Sequence, residues 1–180
     1  MFHARIRPGL ELRLLEERHA PTVFSLVDRD RDYLSEWLPW VEATTTSDDS
    51  LSFIKASLEQ FANNNGFAAG IWNDNQFAGV IGTHKIQWLN RKVELGYWVG
   101  KSFQGKGIVT DACRAVITHM FREVDLNRIE IHCATANTKS CAIPKRLGFQ
   151  LDGTLREGQL VGGRYSDLQI FGMLKRDWNA

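Results

Sequence analysis

Apolar and polar residues alternate at Leu10, Leu12 and Leu14 around Glu11 and Arg13, the period of a half-buried strand. A short helix is expected next, over residues 20–27. The segment YLSEWLPWVEA, residues 33–43, then crowds Leu34, Trp37, Leu38, Trp40 and Val41 around Pro39, which is too apolar for a linker. From Ser47 the run SDDSLSFIKASLEQFANNNG predicts a helix: a Ser cap, Asp48 and Asp49 at the positive dipole end, a stripe at Leu51, Ile54, Leu58 and Phe61, and Gly66 beyond. Three strands follow, FAAGIW (67–72), FAGVIGTHKIQW (77–88) and VELGYWV (93–99), separated by the turn-forming NDNQ and LNRK. They predict an antiparallel meander. Cys113, Val116, Ile117 and Met120 recur at helical spacing, so residues 108–123 form a long amphipathic helix. RIEIHCATA (128–136) reads as a strand, residues 140–147 as a short helix, and a closing strand pair turns around Val161-Gly162-Gly163-Arg164. Strands that begin in a meander and later alternate with helices imply an α/β fold of α+β type. Its sheet is mixed and mostly antiparallel, of about seven strands, flanked by helices.

Composition narrows what such a fold does. At 180 residues and 43% hydrophobic, the chain supports one well-buried core, read as a single domain over 1–180. Lys+Arg 22 against Asp+Glu 21 leaves net +1 with neither sign in blocks, so no direct nucleic-acid reader is expected. The opening MFHARIRPGLELRLL has no continuous apolar stretch, and nothing approaches the roughly eighteen apolar residues of a membrane span. Cys113, Cys133 and Cys141 are odd in number and form no C-x-x-C pair, which fits reduced thiols in a cytoplasmic protein. Cys141, near a helix start, reads either as a reactive thiolate or as a small buried filler. His3, His19, His84, His119 and His132 are scattered without a paired ligand motif, so no metal is expected. A homodimer is left open.

The candidate chemistry lies in GYWVGKSFQGKGIVT. A Walker loop needs four residues between its glycines, and Gly96 and Gly100 before Lys101-Ser102 enclose only Tyr97-Trp98-Val99. That near-match fails, and with it a nucleotide-dependent kinase or ATPase. Tyr, Trp and Val favour a strand, so the loop is Gln104-Gly105-Lys106-Gly107. A strand, a glycine-bearing connection and a helix starting at Gly107 or Ile108 aim unpaired backbone N–H groups outward at a positive dipole end, which suits an anion. Gly105 and Gly107 permit close approach and Lys106 adds charge. The ordinary alternative is a connection that merely turns the chain.

The order strand, QGKGI, long helix, strand, NTKS, helix, LGF resembles the acetyl-coenzyme A-dependent N-acetyltransferase superfamily called GNAT. Its Q/R-x-x-G-x-G/A motif falls on Gln104, Gly107 and Val109, Val109 departing from the small-residue pattern. Within that superfamily, WL-x-W at Trp37, Leu38 and Trp40, ELGYWV at 94–99, GKGI at 105–108 and N-x-x-S at Asn137 and Ser140 are similar to the ribosomal-protein alanine/serine N-acetyltransferase group. The resemblance implies transfer of acetyl from acetyl-coenzyme A to an amine, such as the N-terminal α-amine of a ribosomal protein or peptide. It also implies a pyrophosphate on the amides of Gln104, Gly105, Lys106, Gly107, Ile108 and Val109. The pantetheine arm would add as a strand beside Trp98 and Val99, with Asn137 in contact. An amide donor there would stabilise the oxyanion, a contribution of about 3–4 kcal/mol where one donor is lost.

Pro144 stands where many members carry a Tyr acid, so the resemblance passes that role to Ser140; capping of the short helix is the ordinary role of Asn137 and Ser140. Glu94 is the candidate base, acting through water; its ordinary role would be pairing with Arg91 or Lys92, and His84 and His119 are ionisable alternatives. A glutamate proposed as base in serine-type relatives maps, through Tyr165 and Asp167, onto Gln159, which takes no proton. Trp37, Leu38 and Trp40, rimmed by Asp30, Asp32, Glu36 and Glu42, suit a short peptide with a positive amine, or else simply join two helices. The alternative functions are a catalytically silent acetyl-coenzyme A-binding module and an acetyltransferase for a small amine.

Overall fold

A computed structural model describes residues 3–179. Met1, Phe2 and Ala180, at the ends of the expected domain span, lie outside the described residues. The chain runs β1 (His3–Arg7), β2 (Leu10–Leu14), α1 (Ala20–Arg29), α2 (Arg31–Ser35), α3 (Ser47–Ala62), β3 (Ala68–Asn73), β4 (Gln76–Thr83), β5 (Lys92–Val99), α4 (Ile108–Arg122), β6 (Arg128–Ala134), α5 (Thr138–Arg146), β7 (Gln150–Val161) and β8 (Arg164–Leu174). One sheet orders them β1-β2-β3-β4-β5-β6-β8-β7, and β5–β6 is its parallel pair. The expected α+β class and mostly antiparallel sheet are present, with eight strands rather than about seven. The added strand is β1. Its burial is almost uniformly exposed, so HARIR carries no apolar alternation that would announce it.

Strand alternation sorts the side chains onto two faces. Val93 and Leu95 of β5 and Ile129, Ile131 and Cys133 of β6 pack with Ile108, Ala112, Cys113, Val116, Ile117 and Met120 of α4. On the other face, Val80 and Phe77 of β4 meet Val23, Leu26 and Val27 of α1 and Ile54 of α3. Ile117 and Ile54 are both 0% exposed, and truncating either to Ala would cost about 2–5 kcal/mol. The stripe on α3 is narrower than its sequence suggests: Ile54 is buried, Leu51 and Leu58 are half-buried and Phe61 is exposed. Its cap is Thr46 rather than Ser47, because the Asp49 carboxylate accepts the Thr46 N–H at 2.8 Å and the Thr45 N–H at 2.9 Å.

Two elements end earlier than expected. β4 stops at Thr83 instead of running on to residue 88, since Ile86 turns inward to 5% exposure and its N–H bonds the Asn65 carbonyl. β6 stops at Ala134 because Asn137 caps a helix that begins at Thr138, two residues before the predicted start. Gly162 and Gly163 both have positive φ, which makes the predicted turn between β7 and β8 a tight two-residue hairpin.

Candidate active site

The sheet opens where its parallel pair ends. β5 and β6 are matched only at Lys92–Arg128, Val93–Ile129 and Glu94–Glu130. Beyond Glu94, β5 keeps β4 as far as Val99, while β6 continues against β8 alone. The His84 N–H donates to the Glu94 carbonyl and the Gly100 N–H to the Ala78 carbonyl, both at 2.9 Å. Antiparallel ladders alternate, so the backbone groups of Gly96 and Trp98 also face β4, and those of Tyr97 and Val99 face the opening. This corrects one expectation: Val99 presents its backbone edge, but the partner in that role is Tyr97, not Trp98. Trp98 instead sends its indole to the opposite face. Gly79 lets β4 approach so closely that an added Cβ would collide with the Trp98 carbonyl.

Past Val99 the chain makes one turn of 3-10 helix, Lys101–Phe103, and enters the glycine loop. Gly105 and Gly107 each hold φ +72°, in the left-handed region that favours glycine. A Cβ on Gly105 would meet nothing within 4 Å, and one on Gly107 only Asp111 Oδ2 at 3.9 Å. The loop therefore shows open backbone in front of the first turn of α4, as an anion site requires. Ile108 is 1% exposed and Val109 packs against the same core, so these two offer amides and not side chains.

Side chains from elsewhere brace the loop. Arg7 Nη2 donates to the Lys106 carbonyl at 3.2 Å, and its Nε to Asp111 at 2.8 Å, which offsets a carboxylate standing in the first turn of α4. Lys139 Nζ donates to Gln104 Oε1 at 3.0 Å, and Lys106 Nζ lies 5.5 Å from the Phe103 ring centre. Arg7 and Lys139 were not singled out in the sequence. Arg7 sits on the strand whose pattern is silent, and Lys139 is a lone cation inside NTKS.

Ser140 lies on α5 directly across the opening from β5. Asn137 caps this helix, its Oδ1 accepting the Ser140 N–H at 3.1 Å. Pro144 has no N–H for the Ser140 carbonyl one turn back, and the Tyr97 hydroxyl donates to that carbonyl instead, at 3.2 Å. The Ser140 hydroxyl is 3.4 Å from both Tyr97 Oη and Cys133 Sγ. Burial pushes the Tyr97 phenol well above its ordinary range, so it stays protonated and donates. Burial also pushes the Cys133 thiol up to about 12. Cys141 is 3% exposed with its Sγ on the Ala134 carbonyl, which settles it as filler.

On the opposite face, Glu94 has partners the sequence did not suggest. Lys92 bonds Glu130 and Arg91 bonds Asp125, so neither pairs with Glu94. Its carboxylate meets His132 Nδ1 at 3.4 Å and His84 Nε2 at 3.7 Å. His119 is elsewhere, on α4. Beside Glu94 on β5, the Trp98 ring is 5.7 Å from that of Trp40, which is 38% exposed, and 6.2 Å from that of Phe77. Trp37 is half-buried, and its carbonyl accepts from Gln159 Nε2 at 3.2 Å. Leu38 is half-buried and packed against the α1–α3 core, as Trp98 is. Arg31 fixes this segment through the Val41 and Thr44 carbonyls, both at 2.7 Å. Asp30 leaves the expected acidic rim: it accepts the Lys101 N–H at 2.7 Å, and Arg29, with that amide, holds its carboxyl below the usual range. Asp32, Glu36 and Glu42 remain exposed.

An opened strand edge, a glycine loop at a helix start, and acid and base candidates on two sides of the gap make an acyl-transfer site. The comparisons supply the family. Residues 9–150 match the acetyltransferase (GNAT) domain model. The protein YdaF of Bacillus subtilis (strain 168), provisionally named a ribosomal N-acetyltransferase, is 38% identical over 100% of this chain and 99% of its own. The structure of RimL, a ribosomal-protein α-N-acetyltransferase in complex with coenzyme A, superposes with TM-score 0.93 at 27% identity, covering 96% of this chain and 98% of that one. The microcin self-immunity acetyltransferase MccE, in complex with acetyl-coenzyme A and AMP, does so with TM-score 0.89 at 28% identity, covering 94% of each. With a family model matched over most of its length and a relative 38% identical over all of it, the chain belongs to the GNAT family and is an N-acetyltransferase.

Proposed function

We propose that the protein transfers the acetyl group of acetyl-coenzyme A to the N-terminal α-amine of a protein or peptide, as a cytoplasmic enzyme acting on a ribosomal protein. The observation that carries this reading is the parting of β5 from β6 after Glu94, with the Tyr97 and Val99 backbone turned into the gap and the Gly105–Gly107 loop at its mouth. An extended pantetheine arm satisfies those groups as an added strand, and the loop amides take the pyrophosphate. Asn137, at the cap of α5, lies along the same gap. The thioester then sits between Ser140 and the Glu94 face, with a Tyr97 or Val99 amide available to the oxyanion.

In this reading the amine approaches past Trp40 and Trp98, and Glu94, through water, takes its proton. The neutral amine attacks the carbonyl, the C–N bond forms, and the C–S bond breaks with its electron pair on sulfur. Ser140 supplies a proton to the thiolate. An α-amine with pKa near 8 is already about one-tenth neutral at pH 7, which is why a weak base suffices. The α-N-protein activity in the description of RimL supports a protein N-terminus as acceptor, and the name of YdaF supports a ribosomal one.

A second reading, a small amine carrying a nucleotide, is favoured by the half-exposed Trp40 beside Trp98, an aromatic surface suited to stacking, and by the AMP bound to MccE. Mixed peptides and small amines incubated with labelled acetyl-coenzyme A, then read by mass spectrometry, decide between them. Label on the α-amine of peptides beginning Ala or Ser is the expected outcome. Label confined to lysine side chains or to small amines would overturn the peptide assignment, and coenzyme binding without any transfer would indicate a silent module.

A further inference from the structure

Glu94 is not a solitary carboxylate. His132, one strand away on β6, spans two acids: its Nδ1 faces Glu94 Oε2 at 3.4 Å and its Nε2 faces Glu130 Oε2 at 3.2 Å. Glu130 is in turn anchored by Arg128 Nε at 2.8 Å and Lys92 Nζ at 3.2 Å. Burial alone would push the Glu130 carboxyl up, but those two cations more than offset it and hold it below the usual carboxylate range. Glu130 is therefore a fixed anion and an acceptor for the Nε2–H of His132. A neutral imidazole so held has one lone pair left, on Nδ1, and it points at Glu94. The neutral ring therefore offers a proton acceptor directly beside the carboxylate that faces the opening.

We infer that Glu94 and His132 act as one proton-holding unit, with Glu94 receiving the proton of the acceptor ammonium and His132 Nδ1 storing it. This deepens the proposed α-amine acetylation and rests on that reading. The unit lies at the point where β5 and β6 part, because Glu94 and Glu130 are the last matched pair and His132 is the next residue of β6 on the same face. The protons balance. The ammonium loses one to Glu94 before attack, and the imidazolium that results donates to both carboxylates. After attack the nitrogen loses its second proton, the thiolate gains one, and one proton per turnover leaves to solvent. His84, with its ring 3.7 Å from the other Glu94 oxygen and largely exposed, borders the exit. The charged groups around the unit are Lys92 on β5, Arg128 and Glu130 on β6, Asp152 on β7, which pairs with Arg128, and His84 after β4.

The test compares His132→Gln and Glu94→Gln with the parent across pH, using an Ala-initial peptide and saturating acetyl-coenzyme A. At pH about 6.5, where an α-amine of pKa about 7.7–8.0 needs a base, kcat/KM should fall more than about tenfold in both variants. At pH about 9.5 the amine is already neutral, and the gap should shrink to about twofold. A merely structural role for His132 would give the same loss at every pH, which would overturn the inference. A loss in Glu94→Gln with none in His132→Gln would sink the storage role while leaving Glu94 as base; no loss in either removes the base assignment itself, and an inactive parent removes the acceptor reading. Independently of turnover, nitrogen NMR of the parent should show neutral His132 protonated at Nε2. A neutral form protonated at Nδ1 would contradict the arrangement.

Discussion

The two halves of the proposed site are built from different material. The coenzyme half is backbone: the Tyr97 and Val99 edge of β5, the Gly105–Gly107 loop and the first amides of α4. The acceptor half is side chain: Trp37 and Trp40 from the segment after α2, Trp98 and Glu94 from β5, His132 from β6 and Gln159 from the β7–β8 hairpin. Backbone groups are tolerant of side-chain identity, provided nothing blocks them. The acceptor wall has no such tolerance, since each contact belongs to one residue. The halves should therefore answer differently to substitution, the first to bulk and charge, the second to truncation.

The largest effect is expected from bulk at the loop. Gly107→Glu puts an L-residue at φ +72° and a second carboxylate near Asp111, in front of amides meant for an anion. Acetyl-coenzyme A affinity should fall by more than about a hundredfold, about 2.7 kcal/mol, by calorimetry. Gly107→Ala separates the causes. Its Cβ enters open space, so only the backbone strain of about 1–2 kcal/mol applies. Equal losses in the two variants would mean that strain alone acts and that no anion is held there.

Next in size is Ser140→Ala. A thiol of pKa about 8.5 is a fair leaving group even unprotonated, so the acid contributes less than the about hundredfold that marks the low end of its usual range. A drop in kcat of about tenfold is expected, with acetyl-coenzyme A affinity changed less than about threefold. A variant that loses affinity and keeps kcat would assign Ser140 to binding. Tyr97→Phe sharpens the point: it frees the Ser140 carbonyl left without a helix partner by Pro144, and so should cost stability, by about 1 kcal/mol, more than rate.

This contrast also explains what was legible beforehand. The strand, loop and long helix around Gly107 were readable because helix periodicity, glycine spacing and β-forming residues are local signals. The register of β5 was not. Whether Tyr97 or Trp98 faces the gap depends on which of them bonds β4, and Gly100 with Ala78 decides that across more than twenty residues of chain. Nor could sequence place His132 against Glu94, since a single His in RIEIHCATA has no spacing to interpret until β6 is laid beside β5. The β1 strand escaped notice because its exposed face carries no alternation, and Arg7 went with it. Leu38, an apolar residue between two tryptophans, reads as wall in the sequence, and its added contact with the α1–α3 core is a tertiary fact.

The smallest effects should come from the acceptor wall and separate contact from support. Trp40→Ala removes an exposed ring that leans on Trp98, and should raise KM for the peptide about tenfold, about 1.4 kcal/mol, with kcat within about threefold. Gln159→Ala acts on the acceptor wall through Trp37. It removes one hydrogen bond to the Trp37 carbonyl, worth about 0.5–1.5 kcal/mol at most, and frees the hairpin from the segment that carries both tryptophans. Its KM should rise about threefold, and in the Trp40→Ala background it should rise less, because the ring it helps to position is gone. Gln159→Glu tests the other possibility. If a carboxylate there restored or raised kcat at low pH, position 159 would reach the reacting amine, and Gln159 would belong to the chemistry rather than to the scaffold of the cleft. If it behaves like Gln159→Ala, the proton work rests on the β5–β6 side, where Glu94 already stands.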